Sequence, residues 1–334
     1  MLNHIGTQTI ETGNLFIRRF KKQDIKDAFN NWVTEKEVVK FLSCPVHSSI
    51  EVTASVITDW IQCYEKHDFY QWAIVPKDYK KAIGTISIMN IQNTPKRCEI
   101  GYCIGKDYWG KGYTTEALKA VIHYALFDIN FNRVEAMFYP LYKNSGKVMS
   151  KAGMQYEGLF RKYAEDNSDK IIYSILQQDL FNKNIKQEFI KTPIYSDSVI
   201  ELRCSNHVPA NTAKKHLPYY VFSIKVIQQN SIVGVIHLRL GFNEGIYYCG
   251  HIGYLVDDKY QNKGYATRAC LLIKELAKQH GYKNLLITNN PENIASRKVC
   301  EKIGADFIRV VELPVYNELR KQGESFKCIY QWQI

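Results

Sequence analysis

The chain repeats itself once, at a spacing that leaves few options for its fold. Ile100-Gly101-Tyr102, Tyr108, Lys111-Gly112-Tyr113 and Thr115 return 152 residues later as Ile252-Gly253-Tyr254, Tyr260, Lys263-Gly264-Tyr265 and Thr267. Ser145, Val148, Lys151 and Gly153 return 151 residues later as Ser296, Val299, Lys302 and Gly304, so one residue is gained or lost in a loop between the two blocks. Solenoid repeats have periods of roughly 20–50 residues, each too small for a core of its own. A period this long is a whole domain copied, and 334 residues accommodate two domains of roughly 100–200 residues each.

Both copies show the same order of apolar periods. In the first, Tyr70–Val75, Ala82–Met89 and Arg97–Ile104 are β-rich runs separated by turn residues, which predicts an antiparallel meander. After Gly112 the period changes: Leu118, Val121, Ile122 and Ala125 share one face of a helix. A strand at Arg133–Phe138, a short helix near Ser145–Lys151 and strands at Gln155–Tyr163 and Lys170–Gln177 follow. The second copy reads as a meander of Tyr220–Gln228, Ile232–Leu240 and Tyr247–Val256, then a helix ending at His280 and a strand at Lys283–Thr288. A helix at Pro291–Lys302 and strands near Ala305–Glu312 and Ser325–Trp332 complete it.

The front ends differ. Between its first strand (Leu15–Phe20) and the meander, the first copy has two helical stretches, Asp24–Val33 and Ile50–Lys66, the second opened by Ser48-x-x-Glu51, a capping-box pattern. The second copy has only Cys204 to Pro218 there, too short for both helices.

Composition narrows the class. With 46% hydrophobic and 23% charged residues this is an ordinary globular chain, and it has no run of about 18 apolar residues as a membrane span requires. The segment Met1 to Phe20 lacks a secretion-signal layout, so a cytoplasmic location is expected. Nine cysteines from Cys44 to Cys328, with Cys98 and Cys103 the closest pair, suit neither a zinc knuckle nor a disulfide framework. Net charge is +3 for residues 1–180 and +8 for 181–334. The only basic clusters are short, such as Arg18-Arg19 with Lys21-Lys22, and Lys214-Lys215. That reads as a solvated surface, with nucleic-acid binding the weakest of the functional readings.

Two strand-to-helix junctions carry the chemistry. Trp109-Gly110-Lys111-Gly112-Tyr113-Thr114, followed by Thr115, opens the first long helix; Gln261-Asn262-Lys263-Gly264-Tyr265-Ala266, followed by Thr267, opens its counterpart. A glycine there lets a ligand approach the backbone, and the free N–H groups of the first helical turn attract an anion such as a pyrophosphate. A single such turn is weak evidence. Its recurrence at the same point of the same strand order points to phosphate binding.

At these residues the chain resembles the GCN5-related N-acetyltransferase (GNAT) superfamily, whose phosphate loop reads Gln/Arg-x-x-Gly-x-Gly/Ala. The second copy matches at every fixed position. The first departs at Trp109 and Thr114, yet its string Tyr108 to Ala117 is similar to the ribosomal-protein-alanine N-acetyltransferase subfamily. Asn293-x-x-Ser296-x-Lys298-Val299 resembles the family segment beside the CoA arm; the first copy keeps Ser145 but has Tyr142 for the asparagine. The fold class implied is α+β: two GNAT folds in tandem, each a mixed, mostly antiparallel sheet flanked by helices, the second with a shortened N-terminal helical region. Residues 1–180 are then a GNAT acetyltransferase domain, 181–198 a linker and 199–334 a second GNAT domain.

The resemblance implies acetyl-CoA as co-substrate, no metal, and an amine acceptor. The loops Trp109–Thr115 and Gln261–Thr267 hold the pyrophosphate in this reading. The strand ends Cys103, Ile104, Leu255 and Val256 carry the pantetheine and offer a backbone N–H to the thioester oxygen, and Asn293 and Ser296 lie along the arm. Glu99 falls where several family members place a general base; the alternative is an exposed strand-end charge. Its counterpart His251 titrates near neutral pH, or is merely satisfied in the sheet. The tyrosine that many members use to protonate the thiolate is replaced by Met149 and Cys300, and Ser145 either hydrogen-bonds the sulfur or caps a helix. An α-amino group (pKa about 7.7–8.0) is an easier acceptor than lysine (about 10.4). The motifs leave open a ribosomal protein terminus, a peptide, a polyamine or an antibiotic amine, and leave the oligomeric state open too. Two functions stand: an N-acetyltransferase acting by direct amine attack on the thioester, or a CoA-binding sensor or structural protein with one or both copies inactive. The missing second front end leads us to expect the chemistry in residues 1–180.

Overall fold

Among the described residues each copy builds an eight-stranded sheet in which one pair of strands alone is parallel. The computed structural model describes residues 1–40, 45–181, 185–213 and 215–334; Cys44, Lys214 and residues 182–184 of the expected linker lie outside them. Met1–Leu180 and Phe181–Ile334 form two compact units. In the first, the strands are β1 (Ile10–Glu11), β2 (Leu15–Arg18), β3 (Tyr70–Pro76), β4 (Gly84–Gln92), β5 (Arg97–Ile104), β6 (Arg133–Phe138), β7 (Gln155–Phe160) and β8 (Lys170–Leu176). They lie in the order β1-β2-β3-β4-β5-β6-β8-β7. The meander expected from alternating runs is β3–β5. The connection from β5 to the parallel β6 runs through helix α4 (Tyr113–His123), as a parallel crossover requires.

Helices cover both faces of this sheet. The front group is α1 (Asp24–Ala28), continued by a π-helical turn (Phe29–Val33), then α2 (Lys36–Val39) and α3 (Ile50–Cys63). It closes a core of Phe20, Trp32, Ile57 and Tyr64 over Ala73, Val75 and Cys103 of the sheet. On the other face α4 buries Ala117, Leu118, Val121 and Ile122, and Tyr124 at its end meets Trp72 of β3 edge to face at 5.6 Å. Helices α5 (Lys143–Lys151) and α6 (Gln177–Phe181) complete the unit.

The second unit repeats the plan. Its strands β9 (Tyr195–Ser196), β10 (Ile200–Val208), β11 (Tyr219–Val226), β12 (Ser231–Arg239), β13 (Ile252–Val256), β14 (Asn284–Asn289), β15 (Asp306–Glu312) and β16 (Phe326–Gln333) lie in the order β15-β16-β14-β13-β12-β11-β10-β9. The helices include α7 (Glu244–Cys249), α8 (Tyr265–Gln279) and α9 (Ile294–Lys302). The equivalent turns Thr12–Leu15 and Asp197–Ile200, each closed by a 3.0 Å N–H to C=O bond, are 185 residues apart, whereas the glycine loops are 152 apart. The second front end is therefore 33 residues shorter.

The sheet face has changed to match. The pairs Ile74 with Gly84 and Ile224 with Gly234 align Ala73 and Val75 with Ser223 and Lys225. Cys103 is 8% exposed under the front helices, whereas its counterpart Leu255 is 65% exposed. Polar residues at two of the three positions remove the hydrophobic cost of a bare face.

Two local expectations need correction. Tyr247–Val256 is not one strand: Glu244–Cys249 is helical, capped by Asn243, whose side chain accepts from Ile246 N–H, and β13 starts at Ile252. Tyrosine and cysteine suit strands by composition, but the asparagine cap and burial of Tyr247 and Tyr248 favour a helical turn. Helix α3 is N-capped by Ser49, not Ser48, with no side-chain cap bond, so Glu51 falls one position short of the capping-box site. Trp32→Ala, which empties the largest side chain of the front core, is expected to cost about 3–5 kcal/mol in denaturant unfolding of the first unit; a loss below about 1 kcal/mol would mean the front helices do not close that core.

Candidate functional site

The parallel strands part almost at once. β5 and β6 pair only at Arg97–Glu99 with Arg133–Glu135, and β13 and β14 only at Ile252 with Ile287. Beyond these residues each sheet opens into a wedge whose edge is the end of β5 or β13. Gly105 N–H bonds Ile83 O, and Asp257 N–H bonds Val233 O. Because antiparallel ladders alternate, the backbone groups of Tyr102 and Ile104, and of Tyr254 and Val256, face the wedge. Those of Cys103 and Leu255 point to the neighbouring strands β4 and β12.

At the mouth of each wedge stands the glycine loop. Gly110 and Gly112 have φ of +76° and +85°; Asn262 and Gly264 have +60° and +78°. Two left-handed residues bracketing one ordinary one turn successive N–H groups to the same side, an anion-binding nest. The first intrahelical bonds are donated by Glu116 to Gly112 and by Arg268 to Gly264, which leaves the amides of Tyr113, Thr114 and Thr115, and of Tyr265, Ala266 and Thr267, directed out of the helix start. A Cβ added at Gly110, Gly112 or Gly264 would meet nothing within 4 Å; the glycines are there for their backbone angles, and the space in front of them is open. Lys111 and Lys263 stack over Tyr108 and Tyr260, at 5.2 and 5.5 Å from the ring centroids.

Each helix start is stapled to its β-turn, with opposite charges in the two copies. Glu116 accepts from Thr12 Oγ1 at 2.6 Å and from Asn14 N at 2.7 Å. Arg268 donates to Asp197 at 2.8 Å. The departure at Trp109 also has a structural reading: its indole N–H bonds Ile104 O at 2.8 Å, as the Gln261 amide bonds Val256 O at 3.2 Å. Two different side chains thus cap the same carbonyl.

Across the wedge, the Tyr102 hydroxyl reaches Ser145 O at 3.3 Å, and Tyr254 reaches Ser296 Oγ at 2.8 Å. Burial raises both phenols above the usual tyrosine range, so they stay protonated donors. Ser145 is inside the first turn of α5, whose N-cap is Tyr142, which overturns the capping alternative for the serine. Asn293 caps α9 by accepting from Ser296 N–H at 2.9 Å, whereas Tyr142 instead sends its hydroxyl to Glu37 O on α2 at 3.4 Å. Met149 and Cys300 are buried, and burial pushes the Cys300 thiol up to about 12.

The face under the front helices separates the copies. Glu99, half-buried, accepts from Asn90 Nδ2 at 2.7 Å and lies on the same face as Gly101 and Cys103. His251 in the corresponding place is fully buried, accepts from Leu286 N–H through Nδ1 at 2.8 Å, and is pushed down to about 3 by burial. With Nδ1 engaged by the sheet and the ring shut away from solvent, it stays neutral across physiological pH, which speaks against its reading as a base. Above Gly253, the Arg239 guanidinium lies 3.3 Å from where a Cβ would stand, in the place of Met89.

The family model for the acetyltransferase (GNAT) domain matches the chain twice, over residues 14–155 and 159–306. The chain belongs to the GNAT family. The uncharacterized N-acetyltransferase YoaA of Bacillus subtilis is 29% identical over 171 residues, 50% of this chain and 96% of that protein. The [ribosomal protein uS5]-alanine N-acetyltransferase of Escherichia coli is 30% identical over 95 residues, 28% of this chain and 49% of that one. Among solved structures, the ribosomal-protein-S5-alanine acetyltransferase of Vibrio fischeri is 23% identical with a TM-score of 0.46, covering 52% of this chain and 98% of that one. The two family-model matches, one over most of each eight-stranded sheet, make tandem GNAT folds, mixed and mostly antiparallel, the architecture.

Sequence reasoning missed the wedge tyrosines, the shared carbonyl cap and Arg239. The first had a signal, because Tyr102 and Tyr254 belong to the repeated block itself. Among the described residues no group of three or more His, Cys, Asp or Glu gathers as a metal site, and no helix is long and apolar enough to cross a membrane. The buried imidazole of this second GNAT unit gives a pH prediction. With a folded value of about 3 and an unfolded value of about 6.5, the unfolded state binds the extra proton, so stability falls as pH drops from about 6.5 toward 3. By pH 5 the loss is about 2 kcal/mol, and His251→Gln is expected to flatten that slope in denaturant titrations at several pH values.

Proposed function

We propose that the first copy transfers an acetyl group from acetyl-CoA to a primary amine, and that the second binds the same donor without turnover. The reading rests on one contrast. The first copy puts a half-buried carboxylate, Glu99, beside the wedge on a face closed by helices. The second has a buried neutral imidazole there, a guanidinium over its glycine and, among the described residues, no counterpart of helices α1 to α3.

The residues present fit the donor. The nests at Gly110–Gly112 and Asn262–Gly264 suit a pyrophosphate, and the edge amides of Tyr102, Ile104, Tyr254 and Val256 suit a chain of amides laid into the wedge as an added strand edge. When bound, acetyl-CoA supplies the thioester that the amine attacks directly. With the donor bound, Glu99 would take the amine proton, an edge N–H of β5 would hydrogen-bond the thioester oxygen, and the Ser145 hydroxyl would hydrogen-bond the departing sulfur. Arg239 repels a cationic amine from the second copy. A protein amino terminus is the acceptor class we favour. It is partly neutral near pH 7, and the string Tyr108–Ala117 resembles enzymes named for a ribosomal-protein alanine.

Glu99→Gln is expected to lower kcat by about 10²-fold or more while leaving the KM for acetyl-CoA nearly unchanged. Unaltered turnover across the pH range would remove the base assignment. Gly112→Trp, filling the nest, should abolish amine acetylation, and Gly264→Trp should preserve it, once unfolding curves show both variants folded; the opposite pattern would move the chemistry to the second copy.

A further inference from the structure

A thiol and an imidazole meet on β10. Three residues apart on a regular strand they would point to opposite faces. Here the register slips: Cys204 pairs with Phe222, Asn206 with Val221 and His207 with Tyr220, so Ser205 is an extra, bulged residue. The bulge brings His207 onto the face of Cys204, and Cys204 Sγ lies 3.4 Å from His207 Nε2. Bulges commonly re-aim side chains next to functional sites. The imidazole is held against Phe189 and Tyr220, with ring centroids at 4.9 and 5.1 Å.

This pair opens onto a groove of about 610 Å³ lined by Lys191, Arg203, Cys204 and His207 among others, within the size range of small-molecule sites. Of the lining residues Lys191 and Arg203 are cationic and none is acidic, although Arg203 pairs with Glu201 beside the groove. Among the other described cysteines, Cys98, Cys103, Cys270, Cys300 and Cys328 are buried, while Cys63, at the end of α3, and Cys249 are half-buried; burial pushes the Cys249 thiol up.

We propose that Cys204 is a thiol–disulfide exchange site, activated by His207, in a groove that accepts a small anionic disulfide. His207 takes the thiol proton; the Cys204 thiolate attacks one sulfur of the disulfide, forming a protein mixed disulfide and breaking the S–S bond. The other half leaves as a thiolate and recovers the proton from the imidazolium. The disulfide is the oxidant, so the step is balanced without a further reagent. The cations on the rim favour an anionic partner.

The test uses the full chain at neutral pH with two probes, dianionic dithiobis(nitrobenzoate) and neutral dithiodipyridine, with the modified cysteine identified by peptide mass spectrometry. Cys204 is expected to react first with both probes. His207→Ala and the more conservative His207→Gln should each slow it at least about tenfold, and Lys191→Gln should slow the anionic probe more than the neutral one. Another cysteine reacting first, or an unchanged rate in both His207 variants, would overturn the site. Equal slowing of the two probes in Lys191→Gln would overturn its preference for anions.

Discussion

Everything at the candidate site follows from how briefly the one parallel strand pair holds together. An interior strand normally satisfies its backbone on both sides. β5 loses its partner after Glu99 and β13 after Ile252, which leaves polar edges inside an otherwise closed sheet. The crossover helix that parallel connectivity demands brings its N-terminus to the same opening, so positive helix ends and free amides collect at the wedge. The Trp109 and Gln261 side chains each cap the one carbonyl at the wedge mouth, and the tyrosines tie the open edge to the next helix.

The two units show what this frame tolerates. The second has lost 33 residues of front end and kept the strand order, the loop geometry and the cross-wedge tyrosine. What changed lies on the face the lost helices would cover: serine and lysine stand for alanine and valine, Leu255 is bare, and arginine replaces methionine over the glycine. The staple between the helix start and the β-turn even swapped its charge, Glu116 for Arg268, while keeping its mechanical role. The frame depends on backbone geometry, and the proposed chemistry depends on one face.

Much of this was legible in the residues. The repeat located both loops and both wedges, because Ile-Gly-Tyr and Lys-Gly-Tyr mark the strand that parts and the helix that follows. The short front end of the second copy could be read from chain length alone. Tyr247–Cys249 misled because tyrosine and cysteine are poor guides to a single helical turn, where an Asn243 side chain and tertiary burial decide. His251 illustrates a different limit: only the register of β13 and β14 places the ring against Leu286 N–H with no solvent. The meeting of Cys204 and His207 was invisible because a bulge, which local composition does not encode, brings them together.

The most direct test of the account is the stoichiometry of CoA binding by calorimetry, with the intact protein and with Gly112→Trp and Gly264→Trp. Two nests on two wedges predict two sites per chain, each variant losing one. A single site in the intact protein, or two sites retained in both variants, would contradict the claim that the parted parallel strands and their glycine loops form the donor sites.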